Sequence, residues 1–278
     1  MEILQFLRIM LVGKDGAAKK SAVDTILNSS AKDEETAETK ISVDPEECQH
    51  FKVKIEGRDV EVFDTPVFCH TQREDERTME EIKKCVSRVD SGLHGFLVVF
   101  DLEPFTREEK DMVQMLHTSF GDSVKDYMMP LFVNGNELKR NGKTIRGFIN
   151  DNKDLEEFVR GCEGETCVID HRNQDSTQVG DLLRQINIMV QGNKAKKRGC
   201  YTASMLEDAE SGPGNKRKMA LSANGGMLVG GAIGGGASHS VGSMIGIPGG
   251  IFVGALVGGL MGTAGILMYV RAKRCFKR

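Results

Sequence analysis

Apolar positions in residues 1–191 follow two rhythms that take turns along the chain. Leu4–Val12 is largely apolar and predicts a buried first strand. A polar, glycine-containing break follows, and then Val23, Ile26 and Leu27 recur at helical spacing. The stretch from Asn28 to about Lys40 is polar and acidic and predicts a mobile loop. Phe51-Lys52-Val53-Lys54-Ile55 and Val60-Glu61-Val62-Phe63 alternate apolar and polar, and Glu56-Gly57-Arg58-Asp59 joins them as a hairpin. Met79, Ile82, Val86 and Val89 mark one face of a charged helix, and Gly95–Phe100 is unbroken, as a central parallel strand requires. Thr106 and Glu109 form a capping box ahead of Met112, Val113, Leu116 and Phe120. Met129–Val133 predicts another strand, 144–161 a helix, Cys167–Ile169 a short strand, and Thr177–Val190 a last helix carrying Val179, Leu182, Leu183, Ile186 and Met189.

Strands alternating with helices predict an α/β fold with a mostly parallel, doubly wound sheet and one antiparallel hairpin. In such sheets ligands bind at the carboxyl ends of the strands, where the loops after Val12, Phe63, Val133 and Ile169 converge.

The rhythm then stops. Residues 192–218 are a basic polar linker containing Lys194, Lys196, Lys197 and Arg198, then Lys216-Arg217-Lys218. Met219–Val270 is 52 residues without one Asp, Glu, Lys or Arg, and it holds half of the chain's 32 glycines. Small residues recur there at every fourth place from Ser222 to Gly262, the Gly-x-x-x-Gly spacing that lets helices touch in a bilayer. In water each interior glycine costs about 1 kcal/mol relative to alanine, whereas in lipid the backbone must bond to itself and helix is the available answer. Gly249–Val270 alone is long enough to span a bilayer, and Pro248-Gly249-Gly250 lies near the middle of the run. Basic clusters flank both ends, which favours a hairpin with both ends in the cytosol, with a single anchor or a glycine-rich tail as the other readings.

Charge agrees with this division. Residues 1–191 carry a net −12 and 192–278 a net +9, so the tail is expected to meet membrane lipid, with 271–278 as a basic cytosolic end. Its bases flank an apolar segment instead of lining a groove, so nucleic acid is not the expected partner. The seven cysteines are scattered, lack paired zinc-ligand spacing, and read as reduced cytosolic thiols. Cys275 among basic residues could be palmitoylated or a plain thiol.

The chemistry concentrates in the first loop. Strand, Gly13-Lys14-Asp15-Gly16-Ala17-Ala18-Lys19-Lys20-Ser21 and helix, in that order, make a phosphate cradle in which backbone N–H groups and a lysine face an anion. The usual pattern is Gly-x-x-x-x-Gly-Lys-Ser/Thr. Gly13 and Lys19 fit it, Ala18 stands at the second glycine, and Lys20 replaces the hydroxyl residue.

Leu11–Ala17, Thr25-Ile26-Leu27, Asp64-Thr65-Pro66, Ser91–Phe100, Phe105-Thr106-Arg107-Glu108-Glu109, Phe120-Gly121 and Thr177-Gln178-Val179 together resemble the GTPase IMAP family, immunity-associated P-loop GTPases, over roughly residues 5–191. The resemblance implies a Ras-like G domain over 1–191 followed by a membrane helix or hairpin at 219–270. It implies GTP or GDP as ligand, with phosphates against Gly13–Ser21 and guanine near Asn134, Asn136 and Asp170. It also implies lymphocyte membrane proteins that assemble with themselves or with family members.

The departures from the family cluster on the ligand. Lys20 stands where a hydroxyl ligates Mg²⁺, and the switch threonine falls at Asp44 or Pro45. Val67 replaces a glycine facing the γ-phosphate, Asn136 replaces the base-reading aspartate, and Asp170-His171 replaces Asn-Asn. Asp64 is left as the one candidate metal ligand. Reduced nucleotide affinity, poorly anchored Mg²⁺ and weak or absent hydrolysis are the expectations, with no residue assigned a catalytic role. The Lys20 ammonium is expected either in the metal's place or paired with Asp44 or Asp64. His94 reads as structural. A pseudo-GTPase scaffold that oligomerises at a membrane is the alternative.

Overall fold

The computed structural model describes residues 4–14, 16–29, 47–68, 71–172 and 177–211. Expectations about Asp15, the 28–40 loop beyond Ser29, Asp44, Pro45, the end of the linker, the 219–270 segment and the basic tail lie outside the described residues.

A six-stranded sheet in the order β2-β3-β1-β4-β5-β6 forms the centre. The strands are β1 (Phe6–Gly13), β2 (Gln49–Ile55), β3 (Arg58–Asp64), β4 (Gly95–Phe100), β5 (Met128–Phe132) and β6 (Cys167–Val168). All neighbours are parallel except β2 and β3, so the sheet is mixed, with one antiparallel pair. That pair turns through two residues, Glu56 (φ 50°) and Gly57 (φ 75°), a tighter connection than the four expected. Both central residues in the left-handed region match the right-handed twist of the flanking strands.

The apolar pattern of β1 explains the layering. Leu7, Ile9 and Leu11 join one core cluster, and Met10 and Val12 join the other. In β4, Leu97 and Val99 go to the first, and Phe96, Val98 and Phe100 to the second. Side chains alternate across a strand, so an all-apolar run needs cover on both faces. Helices α1 (Gly16–Leu27) and α7 (Thr177–Ala195) cover one face; α2 (Gln72–Ser87), α3 (Arg107–Phe120) and α6 (Lys153–Gly161) cover the other. On β2, Phe51, Val53 and Ile55 are buried while Lys52 and Lys54 are exposed, the signature of an edge strand with one solvated face. The capping box of α3 forms as expected, with Thr106 accepting from the Glu109 N–H and Glu109 accepting from the Thr106 N–H.

The helical expectations change after β5. The single helix over 144–161 is broken into α5 (Ile145–Asn150) and α6, because Asn152 accepts hydrogen bonds from the Asp154 and Leu155 N–H groups at 3.0 and 3.1 Å and starts a new helix. A short helix α4 (Asn136–Arg140) follows β5.

The stretch read as a polar linker from residue 192 continues α7 to Ala195 and then carries α8 (Ala203–Ser211). Tyr201 is fully buried among Phe96, Phe120 and Tyr127, with ring centroids 5.4–5.8 Å apart. Its backbone exchanges two 2.8 Å hydrogen bonds with Leu93, and its hydroxyl donates to the Phe120 carbonyl at 2.7 Å. Gly92 (φ 71°) makes room, since a Cβ there would lie 2.6 Å from the Tyr201 carbonyl oxygen. A single aromatic residue among polar ones has no periodicity, so nothing in the local pattern announces this docking.

Candidate functional site

The β1–α1 turn is set by close packing. A Cβ on Gly13 would lie 3.1 Å from the Val99 carbonyl oxygen, so glycine lets the end of β1 approach β4. Ala18 stands at the second glycine position of the loop. It is buried in the apolar cluster with Ala22, Val23 and Ile26. Lys14 leaves the loop sideways; its Nζ donates to Thr106 Oγ1 at 3.2 Å and lies 3.7 Å from Glu108, tying the loop to the N-terminus of α3. Gly16 and Ala17 are exposed at the start of α1.

Lys19 points inward and is 2 % exposed. Its Nζ lies 3.1 Å from Asp64 Oδ1 and also donates to the Thr65 carbonyl oxygen. Thr65 is itself pinned, its hydroxyl donating to the Leu11 carbonyl at 2.8 Å. Burial pushes the Lys19 ammonium below the ordinary lysine range, and the Asp64 carboxylate works against that shift.

The expected Lys20–Asp64 pair is therefore corrected: the partner of Asp64 is Lys19. Neighbouring residues on a helix point about 100° apart, so with Lys19 inward Lys20 faces solvent. It is 76 % exposed and pairs with Asp24 at 3.1 Å, away from the place a metal would take. The Ser21 hydroxyl, one position later, is buried with no hydrogen-bond partner among the described residues.

These residues do not fit Mg²⁺. The ion takes oxygen ligands in near-octahedral array. Here the hydroxyl position holds an outward lysine, and the carboxylate is engaged by an ammonium. Among the described residues no group of three His, Cys, Asp or Glu could hold a metal.

The expected base-side residues come together. Asn134 adopts φ 63° and donates through Nδ2 to Asp101 Oδ1 at 2.8 Å. Asp170 is 6 % exposed and acts as a clamp between loops. Its Oδ2 accepts the Asn136 N–H at 2.7 Å, its Oδ1 accepts the Arg172 N–H at 2.8 Å, and its own N–H donates to Gln178 Oε1 at 2.9 Å. Both carboxylate oxygens are thus committed to backbone, and Asp170 ties the loop after β5 to the loop after β6. The half-buried Asn136 side chain is left as the amide at this loop.

Sequence reasoning missed two supports, Asp101 and Gln178. Asp101 was legible as the polar residue ending an apolar strand; Gln178 stood within the Thr177-Gln178-Val179 box without a role. His94 is structural, as expected. Its Nδ1 accepts the Arg8 N–H at 3.0 Å, and burial beside Arg8 pushes its pKa down to about 4.

The AIG1 family profile matches residues 7–218. GTPase IMAP family member 8 of Mus musculus is 30% identical over 191 residues, covering 66% of this chain and 27% of that protein. Immune-associated nucleotide-binding protein 9 of Arabidopsis thaliana is 26% identical over 195 residues, covering 68% of this chain and 56% of that protein. The chain thus spans between about a quarter and somewhat over half the length of these relatives. Among solved structures, Toc33 from Arabidopsis thaliana in complex with Mg²⁺ and GMPPNP aligns over 68% of this chain and 86% of that one, at 14% identity and a TM-score of 0.47. With a family profile covering the sheet, both loop systems and α8, the chain belongs to the AIG1 family, that of the GTPase IMAP and immune-associated nucleotide-binding proteins.

Proposed function

We propose that this protein binds a guanine nucleoside di- or triphosphate with reduced affinity, hydrolyses it weakly or not at all, and works at a membrane through residues 219–278. One observation carries the nucleotide reading. A buried ammonium, Lys19, waits where the β1–α1 turn meets the end of β3, held by a carboxylate and a carbonyl that a polyphosphate can displace. The names of the AIG1 relatives, GTPases and nucleotide-binding proteins, point the same way. The weak-hydrolysis reading rests on the outward Lys20 and the engaged Asp64, because phosphoryl transfer in P-loop GTPases depends on positioning and on a metal bridging the phosphates. Asn136 supports the reduced affinity, since an amide offers one acceptor where a carboxylate offers two.

The membrane reading rests on the charge-free 219–270 segment and its small-residue spacing, which also favours self-association or pairing with a family member. The same departures support a second reading, a pseudo-GTPase scaffold whose activity is oligomerisation at a membrane.

Denaturing the purified full chain and running the supernatant on an ion-exchange column tests the nucleotide reading. Guanine nucleotide released in measurable stoichiometry supports it. No released nucleotide, together with no heat on titrating GDP or GTP, overturns it in favour of the scaffold. Flotation of the full chain with anionic liposomes, against a chain ending at residue 211, tests the membrane reading.

A further inference from the structure

The connection from β4 to α3, residues Asp101–Thr106, is tied at its two ends to two different loops of the candidate site. At its first residue the half-buried Asp101 carboxylate accepts the Leu102 N–H at 2.7 Å and the Asn134 Nδ2 at 2.8 Å. At its last residue Thr106 Oγ1 accepts from the Lys14 ammonium at 3.2 Å, and Glu108 lies 3.7 Å from the same ammonium. Thr106 is itself fixed. It is the N-cap of α3, and the Glu109 carboxylate accepts its N–H at 2.7 Å and its hydroxyl at 2.8 Å. Between the ends, the Phe105 ring packs on Phe100 with centroids 5.7 Å apart, so the connection is held along its length.

Each end bears on a different part of a ligand. Lys14 follows Gly13 in the phosphate loop, and its side chain is 19 % exposed because it is spent on α3. It therefore fixes the course of the loop backbone, whose N–H groups are what an anion meets. Asn134 sits in the loop after β5 at φ 63°, a left-handed conformation uncommon outside glycine, with its side chain held by Asp101.

We propose that Lys14 and Asp101 are positioning residues which, through the Asp101–Thr106 strap, couple the phosphate side of the site to its base side, so that filling one side tightens the other. The coupling presupposes the nucleotide reading, in which phosphates face Gly13–Ser21 and the base faces Asn134. A base seated against Asn134 orders the Asn134–Asp101 bond, then the strap, then the Thr106–Lys14 bond. The loop amides are ordered before the phosphates arrive, and that entropic cost is met only once. Linkage makes the effect reciprocal: phosphates raise the affinity for the base by the same factor. A lysine that touched phosphate directly would instead act on phosphate whether or not a base were present.

Isothermal titration of the full-length protein with pyrophosphate, with and without added guanosine, reads the coupling with the two halves of the ligand apart. In the native chain guanosine is expected to raise pyrophosphate affinity at least about fivefold. Lys14→Met and Asp101→Ala are each expected to erase that gain and to leave pyrophosphate binding without guanosine largely unchanged. Lys14→Arg keeps a donor and Asp101→Asn keeps an acceptor oxygen, so both are expected to retain most of the gain. The double variant of Lys14→Met and Asp101→Ala is expected to bind GDP no more weakly than the worse single variant, because both cut one connection.

Hydrogen exchange on the nucleotide-free protein gives a second readout, which needs no ligand. The Glu137 N–H donates to the Asn134 carbonyl at 2.9 Å, at the far side of the strap from Lys14. Lys14→Met is expected to speed exchange at Glu137 as well as across Leu102–Thr106, and an unaltered Glu137 overturns the proposal.

A guanosine gain that survives both substitutions also overturns it. So does Lys14→Met weakening pyrophosphate alone as much as GDP, since that marks a direct phosphate ligand. GDP bound by the native chain without any guanosine gain overturns the coupling alone, whereas a native chain that binds neither GDP nor pyrophosphate overturns the nucleotide reading and the coupling with it.

Discussion

Replacing Asp64 by asparagine separates the two roles open to this carboxylate. In the free protein it neutralises Lys19 at 3.1 Å in a site where the lysine is 2 % exposed. At an effective dielectric of about 20, that separation corresponds to ~5 kcal/mol of attraction. Removing one partner of a buried pair costs about 3–5 kcal/mol. Asparagine keeps an oxygen for the ammonium, and the Thr65 carbonyl remains its acceptor, so the lower end applies: Asp64→Asn is expected to destabilise the free protein by about 3 kcal/mol. Nucleotide affinity moves the opposite way. If Lys19 must leave Asp64 to meet a phosphate, weakening that hold removes part of the cost of binding. A release of about 2 kcal/mol is ~30-fold in Kd.

Isothermal titration of GDP in EDTA, alongside urea unfolding, reads both effects. A less stable variant that binds GDP more tightly in EDTA bears the argument out. Unchanged affinity in EDTA with weaker binding in Mg²⁺ would refute it, because that is the behaviour of a carboxylate serving a cation. The double variant with Lys19→Met closes the cycle: the gain from Asp64→Asn is expected to vanish once the ammonium is gone.

Other expectations concern the base, the core and pH. Asn136→Asp is expected to tighten GDP binding by about 1.5–3 kcal/mol, reduced by roughly 1 kcal/mol of repulsion from nearby Asp170. The native amide, with one donor and one acceptor, suits a xanthine edge better than guanine's two donors, so competition between XDP and GDP is expected to favour XDP and to invert in the variant. Equal ratios in the two proteins would remove Asn136 from base reading. Tyr201→Phe is expected to cost about 1 kcal/mol by stranding the Phe120 carbonyl, and Tyr201→Ala about 3–5 kcal/mol, in urea unfolding. A linker residue would cost nothing in either case.

His94 gives a pH signature. Its pKa is about 4 in the folded chain against an ordinary 6.5, so the unfolded chain binds the extra proton first as pH falls. Stability from this group is full above pH 6.5 and is lost as pH drops toward 4, a loss of about 3 kcal/mol. His94→Asn, whose amide oxygen can still accept the Arg8 N–H, is expected to flatten the urea-midpoint profile across that window. An unaltered slope would exclude His94 as its source.

The linear pattern carried most of the fold and the outline of the site. Unbroken apolar runs at Ile9–Val12 and Gly95–Phe100 could be satisfied only under two layers of helices, and alternation at Phe51–Ile55 only at a half-covered edge. Turn chemistry and strand order brought Gly13, Lys19, Asp64, Asn134, Asn136 and Asp170 to one end of the sheet, because loops at strand ends inherit their position from the strands.

Direction was not legible. Whether Lys19 or Lys20 meets Asp64 depends on which side of α1 packs on the sheet, a matter of a 100° step that composition does not encode. That Asp170 spends both oxygens on backbone and that Tyr201 closes the core behind β4 are contacts between residues far apart in sequence. Local pattern decides which segments form helices and strands because their periods are local. The pairing of side chains across elements is decided only when the packed core sets their distances.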